Sequence, residues 1–218
     1  MLSAVLVFGT AVWFGLGVHV PRAQEQSGDP SITPERHFRI DNPAGLTGGE
    51  AEVIYERIFD RMLAGYRVSE IPAATSYRNW RRYNSVPYLS AAHGNRYINN
   101  YANAQANDYG QLRAGASMPL GSVIVKDNFT VTRAGDVYTG ALFAMEKMPA
   151  GFSPEDRDWQ YTMIMPDGEI FGTTKGEGSE HVAFCAACHK AAGEDRDHLF
   201  FVPEKYRIQF LDPSSQSD

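Results

Sequence analysis

The chain has 218 residues, 43% of them hydrophobic, enough to bury the core of one domain of ordinary size plus appendages. Its formal charge is −6, with 20 lysines and arginines against 26 carboxylates, which argues against nucleic acid as a partner because a phosphate-binding face is basic. No repeat of 20–50 residues and no G-x-G-x-x-G element occurs, so solenoid and dinucleotide-binding architectures fall away.

Leu2 to Val20 is apolar apart from Ser3, Thr10, His19 and the glycines, and no charge precedes Arg22. That is about the ~20 residues a bilayer-crossing helix needs, and longer than the ~7–15 apolar residues of a typical signal peptide. The usual basic start is missing, and Pro21-Arg22-Ala23 is a poor small-x-small cleavage site. Residues 1–22 therefore read as a signal anchor, with a removed signal peptide as the alternative. Residues 23–46, with Pro30, Pro34 and Pro43 among small polar residues, read as a tether, and residues 47–218 as the folded domain.

Thr47-Gly48-Gly49-Glu50 has the spacing of a capping box, and behind it Ile54, Ile58 and Met62 recur with Tyr55, Phe59 and Leu63 at three and four residues. This predicts an amphipathic helix ending near Gly65, its aromatic and methionine stripe forming core. Ser76 to Tyr83 mixes aromatics with Arg78, Arg81 and Arg82, a turn or short helix whose cations are solvated or face a propionate. After His93-Gly94, Tyr97 to Tyr101 alternates as a strand, and Asn103 to Gly115 is loop or short helix. Val123-Ile124-Val125 is β-branched and predicts a strand ending at Lys126, on the same face as Ile124. Tyr138 to Met145 and Trp159 to Met165 alternate as well, and Pro166-Asp167-Gly168 turns the chain into Glu169-Ile170-Phe171 as a hairpin. Strands joined by short turns predict an α+β fold, a mainly antiparallel sheet with flanking helices.

Near the C-terminus stands Cys185-Ala186-Ala187-Cys188-His189, containing both cysteines of the chain. C-x-x-C-H is the attachment signature of haem c: two thiols form thioethers to the porphyrin, and the adjacent imidazole becomes an axial iron ligand. A structural disulfide or a thioredoxin-like pair would need no following histidine, and a zinc site would need a second Cys/His pair that is not seen. Attachment of haem c takes place outside the cytoplasm. The motif therefore places the domain on the periplasmic side of a bacterial membrane, anchored or exported.

In order along the chain, Tyr77-Arg78-Asn79-Trp80, His93-Gly94, Gly121-Ser122-Val123-Ile124-Val125-Lys126-Asp127, Asp158-Trp159, the C-x-x-C-H segment and Asp197-His198-Leu199-Phe200 together resemble the cytochrome P-460 family. That family includes the sheet-rich cytochromes c′-beta, and the likeness runs roughly from Tyr77 to Pro203. The resemblance implies a mainly antiparallel sheet with helices, usually a homodimer, with one haem whose distal face is open. In the enzymatic members a lysine on a G-T-V-L-V-K-type strand is cross-linked to the haem ring, and Gly121 to Lys126 matches that pattern position by position. Such members oxidise hydroxylamine to nitrogen oxides and need an external electron acceptor, whereas the c′-beta relatives bind NO or CO. The implied assignments are His189 as iron ligand, Cys185, Cys188 and Lys126 as haem-binding residues, Lys126 as catalytic, and Glu180 or Glu146 as the distal carboxylate that takes protons, with His181 a further polar candidate. Alternatively, Met145, Met148, Met163, Met165, His93 or His181 closes the sixth position of an electron-transfer cytochrome, or the chain is a tethered subunit of a larger membrane complex.

Overall fold

A computed structural model describes residues 42–209. The expected anchor and most of the tether lie outside these residues; among the described ones no helix is long and apolar enough to cross a membrane. Helix α1, Gly48–Tyr66, starts at the expected capping box: Thr47 Oγ1 accepts from the Glu50 backbone N–H, and the Glu50 carboxylate accepts from the Thr47 N–H. A one-turn helix α2, Pro72–Ser76, carries proline at its first position and leads through the 3-10 turn Tyr77–Asn79 into the sheet.

The strands are β1 (Arg81–Arg82), β2 (Tyr88–Ser90), β3 (Arg96–Ala102), β4 (Val123–Val131), β5 (Val137–Thr139), β6 (Leu142–Lys147), β7 (Trp159–Ile164) and β8 (Ile170–Thr173). They form one sheet in the order β1-β3-β4-β6-β7-β8, with β2 also on β3 and β5 also on β4, and every pairing is antiparallel. Helix α3, Ser179–His189, follows β8 and carries the C-x-x-C-H motif.

Two boundaries differ from the expectation. The alternation from Tyr138 to Met145 is split at Gly140-Ala141 into β5 and β6, both paired to β4. β4 does not end at Lys126 but continues to Val131, so that Lys126 sits in mid-strand between Asn100 of β3 and Phe143 of β6. Asp127 and Asn128 look like turn formers in sequence, yet both are paired and buried.

Period-two alternation sorts the sheet into two faces. On the first, Tyr97 and Tyr101 of β3, Val125 and Phe129 of β4 and Leu142 and Ala144 of β6 pack against Tyr55, Met62, Leu63 and Tyr66 of α1. Asp127, fully buried here, ties this layer together. Its Oδ2 accepts from Tyr55 Oη at 2.6 Å and Tyr77 Oη at 3.1 Å, and its Oδ1 from Asn99 Nδ2 at 3.1 Å. The Tyr101 hydroxyl then donates to Tyr55, 2.6 Å away, because the single Tyr55 proton is already committed. Two arginines of the 78–82 stretch also belong to this side: Arg82 makes a two-pronged ion pair with Glu52 and Arg78 reaches Asp60, both on α1, so that these two brace the helix instead of facing a propionate. Arg81 is exposed and donates to Asn107 Oδ1.

The opposite face holds Ile98, Ile124, Met145, Trp159 and Tyr161 with Tyr83, Tyr88, Tyr109, Leu199 and Val202, and beside them Ala141 and Met163 with Val182 of α3. Helix α3 comes very close to β8. A Cβ on Gly172 would overlap the Gly178 carbonyl oxygen, and one on Gly178, where φ is +63°, would stand 2.6 Å from the Phe171 carbonyl.

Burial raises the Asp127 carboxyl to about 6, against the hydrogen bonds from Tyr55, Asn99 and Tyr77 that favour its charged form. The folded protein thus holds this proton more tightly than the unfolded chain, so the group's contribution to stability is complete below pH 4 and is lost as pH rises through 6. In urea unfolding from pH 4 to 7, wild type should lose roughly 2–3 kcal/mol relative to Asp127→Asn; parallel curves would mean that Asp127 titrates normally.

Candidate functional site

Helix α3 presents Val182, Cys185, Ala186 and His189 to the second sheet face, at the spacing of one helical stripe. Cys188 lies at the flank of that stripe and is exposed, while Cys185 is partly buried. His189 ends the helix and is only 8% exposed. Its ring lies 5.4 Å from the Tyr161 ring and 5.5 Å, edge-on, from that of Phe200.

His189 Nδ1–H donates to the His198 carbonyl at 2.9 Å. This fixes the tautomer and leaves the Nε2 lone pair as the ring's donor. Burial, and then the charge of Lys126, drives His189 down to about 3, so the imidazole is neutral at any ordinary pH. The sequence signals this partner only as the landmark Asp197-His198; the acceptor is a backbone atom, which no residue type announces.

Lys126 reaches this cluster from the centre of the sheet. It is 6% exposed and makes no hydrogen bond or ion pair among the described residues. Burial lowers its ammonium to about 8, and the nearby Cys188 and Cys185 pull the other way. The register places Asn100, Lys126, Phe143, Met163 and Gly172 side by side across β3, β4, β6, β7 and β8. Phe143, Met163, Phe184 and Cys185 share one apolar cluster, which forms a wall beside the lysine.

His93, in the connection from β2 to β3, joins them. Its Nδ1 shares a 2.9 Å hydrogen bond with Ser90 Oγ, and its ring lies 5.4 Å from that of Phe143. Burial holds it well below the ordinary histidine value, helped by Lys126 and His189. From residue order His93 has one candidate role, a sixth ligand. Its place beside the lysine follows from strand pairing that one sequence does not display.

Neither expected carboxylate enters this cluster. Glu146 pairs with Val123 and Gln160, which puts it on the α1 side of the sheet, opposite to Lys126. There it lines a groove of about 880 Å³ with Trp80, Asn103 and Gln160. Glu180 is exposed in the first turn of α3, on the side away from the His189 stripe, with its Oε1 3.4 Å from His181 Nε2. His181 anchors that turn through Nδ1 to the Phe171 carbonyl and by its ring against Phe171. Met145 and Met163 are buried in the apolar clusters as packing.

The donor set suits a haem: two thiols and a neutral, oriented imidazole on one helix end, apolar and aromatic walls, and a buried amine without a partner. The Tyr161 hydroxyl is also buried without a partner among the described residues, a polar group left over on the same face. A metal ion held by side chains alone has no comparable support: no group of three or more His, Cys, Asp or Glu suited to it occurs among the described residues.

Comparison with known families gives a match to cytochrome P460 over residues 74–201, more than half of the chain and including every residue of this cluster. No curated protein matches the chain significantly. The family match makes haem, with its iron, the cofactor of this chain.

An unpaired buried hydroxyl carries a desolvation cost with no return. Tyr161→Phe should therefore stabilise the haem-free protein by about 1–2 kcal/mol in urea unfolding, and a loss of stability would show that the hydroxyl has a partner.

Proposed function

This chain belongs to the cytochrome P460 family, and we propose that it is a haem c protein on the periplasmic side of a bacterial membrane. In this reading it oxidises hydroxylamine or a related small nitrogen species and passes the electrons to an external acceptor. The observation that carries the proposal is the gathering of Lys126 and the half-buried His93 around Phe143 on the sheet face that Cys185 and His189 of α3 cover, with the exposed Cys188 at its flank. When bound, the haem supplies an iron centre that can hold a small nitrogen species and take electrons from it.

The chain's own residues have the following parts. Cys185 and Cys188 would hold the porphyrin by thioether bonds, and His189 would hold the iron through Nε2 while its Nδ1 stays committed to the His198 carbonyl. Lys126, depressed to about 8, is far more often the neutral amine near neutral pH than an ordinary lysine is. In that form it would hold the porphyrin covalently through Nζ, an attachment made with the loss of one N–H and one C–H hydrogen and needing a two-electron oxidant of the peroxide class. His93 takes the place expected of Glu180 or Glu146: it is a neutral base beside Lys126, and its bond to Ser90 Oγ, partly exposed at the end of β2, leads a proton towards solvent. Phe143 and Met163 exclude water from the same volume.

The position of His93 also favours a second reading, a six-coordinate electron-transfer cytochrome with His93 opposite His189. In that protein the spectrum would be low-spin and CO would not bind.

Absorption spectra with intact mass separate these readings. The first expects a high-spin spectrum, hydroxylamine oxidation with a dye acceptor, and the mass of the polypeptide plus one haem less two hydrogens for the lysine bond. Lys126→Leu should regain the two hydrogens and lose at least ~10-fold in turnover. A low-spin spectrum that becomes high-spin in His93→Ala would establish the second reading instead, and a colourless protein of polypeptide mass would end both.

A further inference from the structure

Behind the His189 imidazole lies a layer of residues without a role so far. Asp197 is fully buried, and its carboxylate is saturated with donors. Oδ1 accepts from Lys147 Nζ at 2.7 Å and from Arg157 Nε at 3.3 Å. Oδ2 accepts from Lys147 Nζ at 2.9 Å and from the Met118 backbone N–H at 2.9 Å. The Asp197 carbonyl accepts from Trp159 Nε1 at 2.8 Å.

The backbone at this point is strained. Asp197 has φ +52° and His198 φ +58°, two consecutive non-glycine residues in the left-handed region. Such a pair persists only when the surroundings over-determine it. The carbonyl that follows this double turn is the one that accepts from His189 Nδ1.

The restraints come from the sheet. Lys147 at the end of β6 and Trp159 at the start of β7 pair directly across from each other, the ammonium 4.9 Å from the indole ring centroid. Lys147 Nζ also donates to the Arg157 carbonyl at 2.5 Å. One buried carboxylate thus fastens the turn at 197–198 to two central strands and to the loop at Met118.

We propose that the Lys147–Asp197 ion pair is a positioning device that sets the orientation and hydrogen-bond strength of the His189 imidazole through the His198 carbonyl, and thereby tunes the iron the imidazole holds. This rests on His189 being the axial ligand. A buried ion pair contributes little net stability compared with an apolar pair of the same shape, but removing one partner strands the other charge. Without the Asp197 charge, the left-handed turn relaxes and its carbonyl moves away from Nδ1. The imidazole then becomes a poorer electron donor, and the ferric state loses support.

The test uses the haem-loaded full chain. Asp197→Asn and Lys147→Met should each raise the midpoint potential and lower the iron–histidine stretching frequency in resonance Raman spectra of the ferrous protein. Lys147→Arg should restore both towards wild type. Wild-type values in Lys147→Met, the variant that leaves the turn's own residues intact, would overturn the inference even if Asp197→Asn failed to fold. A wild-type iron–histidine band that survives in His189→Gly would overturn the axial assignment beneath it, a result distinct from the first.

Discussion

Two adjacent residues on one strand, Lys126 and Asp127, are both ionisable and both buried, and the pleat of β4 sends them to opposite faces. Most of the architecture answers the cost of that arrangement. Asp127 receives three hydrogen bonds from tyrosines and an asparagine contributed by α1, β3 and the turn before β1. Lys126 makes none among the described residues, and its charge is weakened instead. A slip of one residue in register would exchange them, placing the amine among tyrosines and the carboxylate beside the cysteines. With six antiparallel pairings on β3 and a further four on β6, the register of β4 is held on both sides.

The two faces therefore have separate tasks. On the α1 side Asp127, Asn99 and three tyrosines satisfy one another, and the result is a clamp that joins α1 to β3 and β4. On the α3 side, among the described residues, Lys126 makes no hydrogen bond or ion pair and the Tyr161 hydroxyl has no partner. Buried polar groups without partners are uncommon in folded proteins and concentrate where something else is bound. The close approach of α3 to β8 at Gly172 and Gly178 holds the helix against this face, where Cys185 packs in one cluster with Phe143 and Met163 beside Lys126.

Much of this was legible in residue order. The capping box at Thr47 and Glu50, the hairpin at Pro166-Asp167-Gly168, the face shared by Ile124 and Lys126 and the C-x-x-C-H motif each depend on neighbours close in sequence. What failed was parity and phase over longer spans. Glu146 follows Met145, and only the pairing of β6 with β4 decides which of the two looks towards Lys126. Glu180 precedes the motif by one and a half helical turns, which carries it to the outer side of α3. β4 runs on past Lys126 although Asp127 and Asn128 have turn-forming side chains, a local preference overridden by cross-strand pairing and by the tyrosines around Asp127. The His198 carbonyl has no signature in sequence at all, since its direction is set by two left-handed residues and a carboxylate tied to distant strands.

The electrostatics of the α3 side can be read as two opposed influences on a bound iron. His93 and His189 are neutral and Lys126 is weakly held in its charged form, so the volume between them has low polarity and little compensating negative charge. Such surroundings disfavour the additional positive charge of the oxidised state and raise the potential. The hydrogen bond from His189 Nδ1 to the His198 carbonyl acts in the other direction, because an imidazole that donates strongly on one side gives more electron density on the other. The first influence is spread over the apolar wall and is hard to change at one residue. The second, in the proposed reading, would pass through a single backbone carbonyl held by Asp197, so that the buried ion pair would adjust redox behaviour from outside the Lys126–His93 cluster.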